Sequence, residues 1–302
     1  LFTYWLGEVP QTRREARREV ERDLRREEAD VPFPGWETLR QESMEEGPRV
    51  LLLVRDEAGE PVRWIQGAAR EGLHRANWDL RRPAPDPVSL ASGGFRPPWA
   101  TDPQGPLVAP GRYQVEMFLV QEGEFRSLGQ PRAFQVKALP TAPPGTDFQA
   151  VAEFQHHVGE LMREMSGAGE KLGSARDRLR HMRAALVRTP RADPSLFRRT
   201  DDLMEEAEAL RMRLNGDRVR GRMNVATEPS IMGRLGYVQY GHWDTRMEPT
   251  ETMRENVEIA AGQFQDLLTE LKDLVEEKIP ALEEDLAAAG APWTPGRGLP
   301  GG

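Results

Sequence analysis

The 302-residue sequence contains no cysteine, which excludes disulfides, thiolate metal sites and a thiol nucleophile. This absence leaves the cellular compartment open, because an exported protein need not contain disulfides. No apolar run approaches the roughly 20 residues that a membrane helix requires. Positive charge is in deficit, and the net charge of -8 opposes binding to a phosphate backbone. We therefore expect no membrane span and no nucleic-acid partner.

The sequence also lacks the patterns that mark common active sites. It has no Gly-x-x-x-x-Gly-Lys phosphate loop. Ser89 stands outside a Gly-x-Ser-x-Gly elbow, so it does not predict a hydrolase nucleophile. Glu153 and His156 match the Glu-x-x-His spacing of di-iron bundles, but such sites need a second helical copy. These residues therefore predict no catalytic site, no metal and no cofactor.

The first part of the chain, residues 1–139, has short apolar segments separated by turn residues. Seven short strands are predicted without strand–helix alternation, which is typical of a β-sandwich. A highly charged segment (11–46) interrupts them, and Thr12 with Glu15 forms a capping-box pattern at its start. The proline-rich stretch 83–110 cannot form regular structure. The expected fold is an Ig-like sandwich with a charged helical insertion and one long loop.

One predicted strand, Gly72–Arg81, is expected to lie at the centre of the packing in this sandwich. Its alternation places His74 and Trp78 on the same face, and Trp78 is the largest apolar side chain there. Tyr113 alternates with polar neighbours in a later strand. We therefore predict that Trp78, His74 and Tyr113 are structural anchors. The run 49–55 is apolar without alternation, which favours a strand covered on both faces.

The second part of the chain is predicted to be helical. Residues 140–145 form a stiff proline-rich linker. Apolar residues then recur mostly every three or four positions across 146–289, which indicates an antiparallel helical bundle. Thr146 begins a capping-box pattern at its first helix, and Pro280 should kink the last. A Pro/Gly tail (290–302) follows. The expected fold class is thus multidomain, all-β followed by all-α.

Three motifs in the first part resemble the small Ig-like domain of the flagellar-hook-capping (FlgD-like) type. They are Asp56-x-x-Gly59, Gly72-Leu73-His74-Arg75-x-x-Trp78-Asp79 and Ala109-Pro110-Gly111-x-Tyr113-x-Val115. With the charged insertion and the long loop, residues 1–139 resemble the region after the β-propeller in bacterial sortilin-like (VPS10-type, BNR-repeat) proteins. Those proteins are often labelled glycosyl-hydrolase-like. Residues 228–231 and 291–297 resemble the helical tail of the same proteins.

The resemblance implies an exported protein, periplasmic or extracellular. The chain begins with a strand-like segment rather than with Met, so we expect it to be the C-terminal part of a longer chain. The implied partner is the upstream β-propeller of the same chain, or another protein. No propeller repeat occurs in these residues, so an activity located in the propeller is not assigned to them.

The expected function is a non-catalytic accessory region that docks on a protein. The predicted contact is the loop 83–110 with Phe95 and Trp99, since an ordered loop of this length needs a surface to lie against. Trp36, His242 and Trp243 are further binding candidates, although a loop anchor is the favoured reading of the last two. Two alternatives remain open. One is a hydrolase whose site lies mainly upstream, and the other is a carbohydrate-binding module that uses Trp36, Trp99 or Trp243.

Overall fold

The computed structural model describes residues 1–90, 97–100, 102–142, 144–245 and 247–298. The chain contains small antiparallel sheets and a helical C-terminal region. It divides into two compact units. The β unit comprises Leu1–Pro83 and Val108–Thr141, and the helical unit comprises Ala84–Leu107 and Ala142–Gly302. Each unit has its own hydrophobic cluster.

Seven strands form two antiparallel sheets in the described part of the β unit. They are β1 (Phe2–Leu6), β2 (Arg49–Asp56), β3 (Pro61–Gly67), β4 (Gly72–Ala76), β5 (Gly111–Gln121), β6 (Glu124–Ser127) and β7 (Arg132–Val136). The first sheet pairs β1 with β4, and the second has the order β3-β2-β5-β6 with β7 also paired to β5. Leu52 lies opposite Ile65 on one side and Met117 on the other, which fixes the register of the central strands.

Both sheets contribute to one core. Val50, Leu52 and Val54 alternate along β2 and join the same cluster as Tyr4 and Leu6 of β1. The cluster is buried because alternate residues of each strand point to the same face.

Trp78 lies in this cluster and is 5% exposed. Its ring meets Tyr113 at 5.7 Å and Phe134 at 6.0 Å between centroids. The indole Nε1 donates to the carbonyl oxygen of Arg81 at 3.0 Å, so the polar edge of the ring is satisfied as well.

The strand predicted over Gly72–Arg81 is shorter in the structure, because β4 ends at Ala76. Leu80 has a φ of 62°, and the Asp79 side chain accepts a hydrogen bond from the backbone N–H of Arg81 at 3.0 Å. These features form a local turn, which cannot continue a strand. Trp78 nevertheless keeps the buried position that the alternation predicts.

The charged insertion forms two helices, α1 (Arg13–Arg26) and α2 (Trp36–Met44). The capping box predicted at Thr12 and Glu15 is present, with both reciprocal hydrogen bonds formed. No residue of α1 is buried, so this helix contributes little to the core of the β unit.

Segment 84–107 belongs to the helical unit, whereas the sequence predicts the loop 83–110 as part of the first domain. Pro106 is buried. A methyl group at Gly159 would lie 3.9 Å from the Pro106 ring and 3.9 Å from the Trp243 ring, so both rings pack close to this glycine. The burial of Pro106 explains why this part of the chain groups with the helices.

The helical unit is built from six α-helices and one π-helical segment among the described residues. They are α3 (Phe148–Leu186), α4 (Pro194–Asn215), α5 (Arg218–Arg222), α6 (Ile231–His242), α7 (Glu251–Lys272), the π-helical segment (Asp273–Lys278) and α8 (Ile279–Ala288). Their shared core includes Leu179, Leu210, Leu235, Phe264 and Leu282. None of the described helices has the length and apolar character to cross a membrane.

Helix ends follow local sequence signals, with two differences from prediction. Asp193 caps α4 through its side chain, and Pro194 follows in the first turn, where a backbone N–H is not needed. Helix α3 is capped by Asp147 rather than by the predicted Thr146, because the Asp147 carboxylate accepts hydrogen bonds from two backbone N–H groups. Pro280 lies in the first turn of α8, directly after the π-helical segment. Where the sequence predicts a kink, the structure therefore has a π-helical segment, and this segment ends just before the proline.

Candidate docking surface

The five-stranded sheet carries apolar side chains on both faces. Leu51 and Leu53 point away from the core formed by their neighbours on β2. Across the sheet, Leu51 lies opposite Phe118 of β5 and Leu53 lies opposite Trp64 of β3. We call this second side the outer face. Its apolar character agrees with the continuous apolar run that the sequence shows in β2.

Three aromatic rings from different strands meet on the outer face. Trp64 lies 5.7 Å from Phe118 and 6.0 Å from Phe125 of β6, and the two phenylalanine rings are 6.2 Å apart. Trp64 is 46% exposed and Phe125 is 56% exposed. The ring planes are 58° to 70° apart, so the cluster is a faceted surface rather than a flat platform.

A groove of about 650 Å³ adjoins these rings. Leu51 and Phe125 line it from the sheet, and Met44 lines it from the end of α2. Its charged rim is mostly paired internally. Arg13 forms an ion pair with Glu122 at 3.0 Å, and Arg49 forms one with Glu46. The rim is therefore nearly neutral, and the exposed surface of the groove is mainly apolar.

An arginine fork joins the two helices beside this groove. Arg17 of α1 donates to both carboxylate oxygens of Glu42 on α2, at 2.5 and 2.7 Å, and it also pairs with Glu21. The Glu42 side chain is only 4% exposed. The Arg17 hydrogen bonds lower the pKa of Glu42, and the two carboxylates raise the pKa of Arg17. The fork therefore fixes α2, which supplies one wall of the groove.

Two of the predicted binding candidates are exposed side chains. Trp36 is 71% exposed, and its ring meets Phe33 edge-on at 5.1 Å. Trp99 is 82% exposed and belongs to the helical unit. Phe95 lies outside the described residues. The structure thus leaves Trp36 and Trp99 available to solvent without joining them into a site.

The two candidates at the end of α6 are buried, in contrast to the exposed Trp243 that the carbohydrate alternative requires. His242 is 2% exposed and Trp243 is 5% exposed. The His242 ring packs edge-on against Phe154 at 5.2 Å. Trp243 is buried because it packs in the helical core close to Pro106 and Gly159. Its ring faces are not available to a sugar.

A polar network surrounds His242 inside the helical unit. Gln155 of α3 donates from Nε2 to the His242 carbonyl oxygen at 2.8 Å and lies 3.2 Å from His242 Nδ1. His242 Nε2 lies 2.9 Å from the carbonyl oxygen of Met247. These partners fit a neutral ring with its proton on Nε2. Burial and the Arg254 charge lower the pKa of His242, while the Met247 contact acts in the opposite direction. This network ties two helices and the following loop together, which makes it a structural anchor.

The three predicted anchors of the β unit have different surroundings. Tyr113 is buried and donates to the carbonyl oxygen of Ala109 at 2.7 Å. Burial raises the pKa of Tyr113. His74 is only partly buried, with its Nε2 at 2.6 Å from the Arg70 carbonyl oxygen and its ring 5.6 Å from Tyr4. Trp78 and Tyr113 therefore hold the core, while His74 lies at its margin.

The pair Glu153 and His156, weighed above as metal ligands, lies on α3. Glu153 accepts a hydrogen bond from Gln149 at 3.0 Å. Among the described residues, no group of three or more His, Asp or Glu side chains is placed to hold a metal ion.

The aromatic cluster on the outer face was not singled out from the sequence. Trp64, Phe118 and Phe125 lie on three strands, and only the strand register brings them together. The one available signal was the apolar run of β2, which indicated cover on both faces. No family model, curated protein or solved structure matches this chain. The resemblance to the FlgD-like and sortilin-like proteins therefore rests on the quoted motifs alone.

Proposed function

We propose that this chain is a non-catalytic protein-interaction region that docks through the outer face of its five-stranded sheet. The observation that carries the proposal is the exposure of Trp64 and Phe125 on a sheet whose other face packs against the hydrophobic cluster of the β unit. Covering one half-exposed aromatic side chain removes on the order of 100 Å² from water, worth roughly 2–3 kcal/mol. Two such rings provide the central anchors typical of protein interfaces.

The proposed fold of the β unit is an Ig-like sandwich of the FlgD-like type. Seven strands in two antiparallel sheets around Trp78 support this proposal, together with the three sequence motifs. The proposed partner is the β-propeller that the resemblance places upstream in the same chain. The proposed location, periplasmic or extracellular, comes from the same resemblance.

The geometry favours a protein partner over a carbohydrate. Sugar rings stack on flat aromatic platforms, but the three rings here are tilted by 58° to 70°. The adjoining groove of about 650 Å³ instead suits an irregular apolar side chain from a protein. Trp36 with Phe33 is the remaining exposed aromatic pair for the carbohydrate alternative, and their planes are 69° apart.

The test measures binding of this chain to the separately expressed propeller. Trp64→Ala and Phe125→Ala should each weaken binding by about tenfold or more, because each removes a ring worth over 1.4 kcal/mol at the interface. Trp36→Ala is the control, since it removes a still more exposed aromatic ring elsewhere on the β unit. We expect it to change the dissociation constant by less than about twofold.

Two results would contradict the proposal. Unchanged binding by the Trp64→Ala, Phe125→Ala double variant would show that the outer face is not the docking surface. Glycosidase or peptidase turnover by this chain alone, abolished by one Asp or Glu substitution, would show that the region is catalytic. Circular dichroism of each variant establishes that a loss of binding is not a loss of fold.

A further inference from the structure

The edge of the two-stranded sheet at β1 has no neighbouring strand within the described part of the chain. β1 pairs with β4 alone, although five strands form the other sheet of the same core. Backbone N–H and C=O groups on such an edge are a template for pairing with another extended chain. The free edge is thus ready to accept a strand.

A slot of about 360 Å³ opens beside this edge. Phe2 and Tyr4 of β1 line one side, and Val115 and Met117 of β5 also line it. The connection between β6 and β7, which includes Leu128, completes the lining. We call this cavity the β1 slot. Its lining thus comes from β1 of the smaller sheet and from the larger sheet.

The apolar lining of the β1 slot is incompletely covered. Phe2, Val115, Met117 and Leu128 pack against the core cluster but remain partly exposed. By contrast, Val50 and Val54, which point to the same core from β2, are 0% exposed. A strand added at β1 would remove this remaining apolar surface from water.

The mouth of the slot carries an uncompensated positive charge. Arg132 lines the slot and is exposed. Its guanidinium makes no ion pair with any residue that the structure describes. A carboxylate on an incoming segment would complement this charge, whereas a basic segment would be repelled.

We infer that the β1 slot binds an extended acidic–aliphatic segment of a partner protein by β-strand addition. The segment pairs with the free edge of β1 through backbone hydrogen bonds. β1 spans five residues. A matching strand of about 17 Å therefore directs two or three alternate side chains into the slot. These side chains are aliphatic, and a flanking Asp or Glu meets Arg132.

This inference does not depend on docking through the outer face. The β1 slot faces the core side of β5, and Trp64 belongs to the opposite side of the sheet. A Trp64→Ala variant should therefore bind the segment like the wild type. If the outer-face proposal fails, the strand-addition test remains informative, and the reverse is also true.

The probe is a synthetic nonapeptide in which valine alternates with threonine and an aspartate stands at each end. We expect saturable binding in calorimetry and new protection of the Phe2–Leu6 amides in hydrogen exchange. Arg132→Glu should weaken binding by about fivefold, as expected for reversal of an exposed charge pair. Arg126→Glu is the matched control, because Arg126 is an exposed arginine on β6 that does not line the slot.

A second variant tests the slot itself. Met117→Trp fills it and should abolish peptide binding, while Arg132→Glu keeps the inference testable if Met117→Trp does not fold. A peptide with a central proline should not bind, because proline has no backbone N–H to donate to the edge of β1. Protection on adding the peptide that appears elsewhere and not in Phe2–Leu6 would overturn the inference. So would a stable dimer that protects Phe2–Leu6 without peptide and excludes it, since the occupant would then be a second copy of the chain.

Discussion

His242 is a buried histidine whose two ring nitrogens both have fixed partners. Nε2 faces the Met247 carbonyl oxygen at 2.9 Å, and Nδ1 faces the Gln155 amide at 3.2 Å. A second proton on Nδ1 would point at an amide N–H group, which cannot accept it. Arg254 adds a positive charge close by, over the Phe154 ring. The folded helical unit therefore disfavours the imidazolium form.

This environment predicts a pH-dependent stability. The pKa of His242 is lowered from its usual value of 6.5, so below pH 6.5 the unfolded chain binds more protons than the folded chain. The free energy of unfolding should therefore fall as pH decreases below 6.5, by at most about 1.4 kcal/mol per pH unit from this residue. Above pH 6.5 its contribution is fully present.

Urea unfolding followed by circular dichroism between pH 5 and 8 measures this effect. His242→Gln should lose the part of the pH dependence that begins near 6.5, whatever its stability at neutral pH. His181→Gln is the matched control, because His181 is an exposed histidine on α3. Identical slopes for the wild type and His242→Gln would show that His242 does not titrate on unfolding.

At the level of elements, the position of α1 depends on an ion-pair fork rather than on apolar packing. This helix has no buried residue, and Arg17 connects it to Glu42 on α2 through two hydrogen bonds. Neutralising Glu42 leaves Arg17 paired with Glu21 on its own helix and removes the ion pair that joins α1 to α2. The fork is therefore the most shielded of the polar contacts that hold α1, while Arg13 adds exposed ones to Gln41 and Glu122.

We predict that Glu42→Gln loosens α1 while the sheets stay folded. Amide exchange of residues 13–26 should accelerate by about tenfold or more, with little change in β2 and β5. In the wild type the pKa of Glu42 is lowered, so the stability that the fork contributes is fully present above the usual value of 4.5 and is lost as pH falls from there through the lowered pKa of the folded state. Glu37→Gln is the control, because Glu37 pairs with Arg40 on the surface of the same helix. Equal exchange in both variants would contradict this role.

The elements show how far the sequence could predict this fold. Local signals predicted the cap at Thr12, because it depends on neighbours within a few residues. Strand alternation predicted the buried side of Trp78, although the rings that cover it come from β5 and β7. Packing between distant segments was not predictable in this way. The burial of Trp243 depends partly on Pro106, more than 100 residues earlier in the chain. The aromatic cluster of the candidate docking surface was not predicted for the same reason, since its three rings come from different strands and only the strand register brings them together.

At the scale of the whole molecule, net charge and exposed apolar surface act against each other. The chain carries a net charge of -8 at pH 7, and this charge disappears near the isoelectric point of about 5.4. Mutual repulsion keeps exposed apolar faces of separate molecules apart only while the charge persists. The outer face, with Trp64 and Phe125, is therefore expected to self-associate when repulsion is removed.

Static light scattering at pH 5.4 and pH 8 tests this balance. We expect reversible association at pH 5.4, and Phe125→Ser should lower the association constant by about tenfold because it removes one half-exposed ring from the contact. Trp36→Ser removes an aromatic ring outside the outer face and should change association by less than about twofold. If Trp36→Ser and Phe125→Ser reduce scattering equally, self-association reflects general surface hydrophobicity. The outer face would then contribute no more to self-association than other exposed aromatic residues, and its proposed role in docking would lose this support.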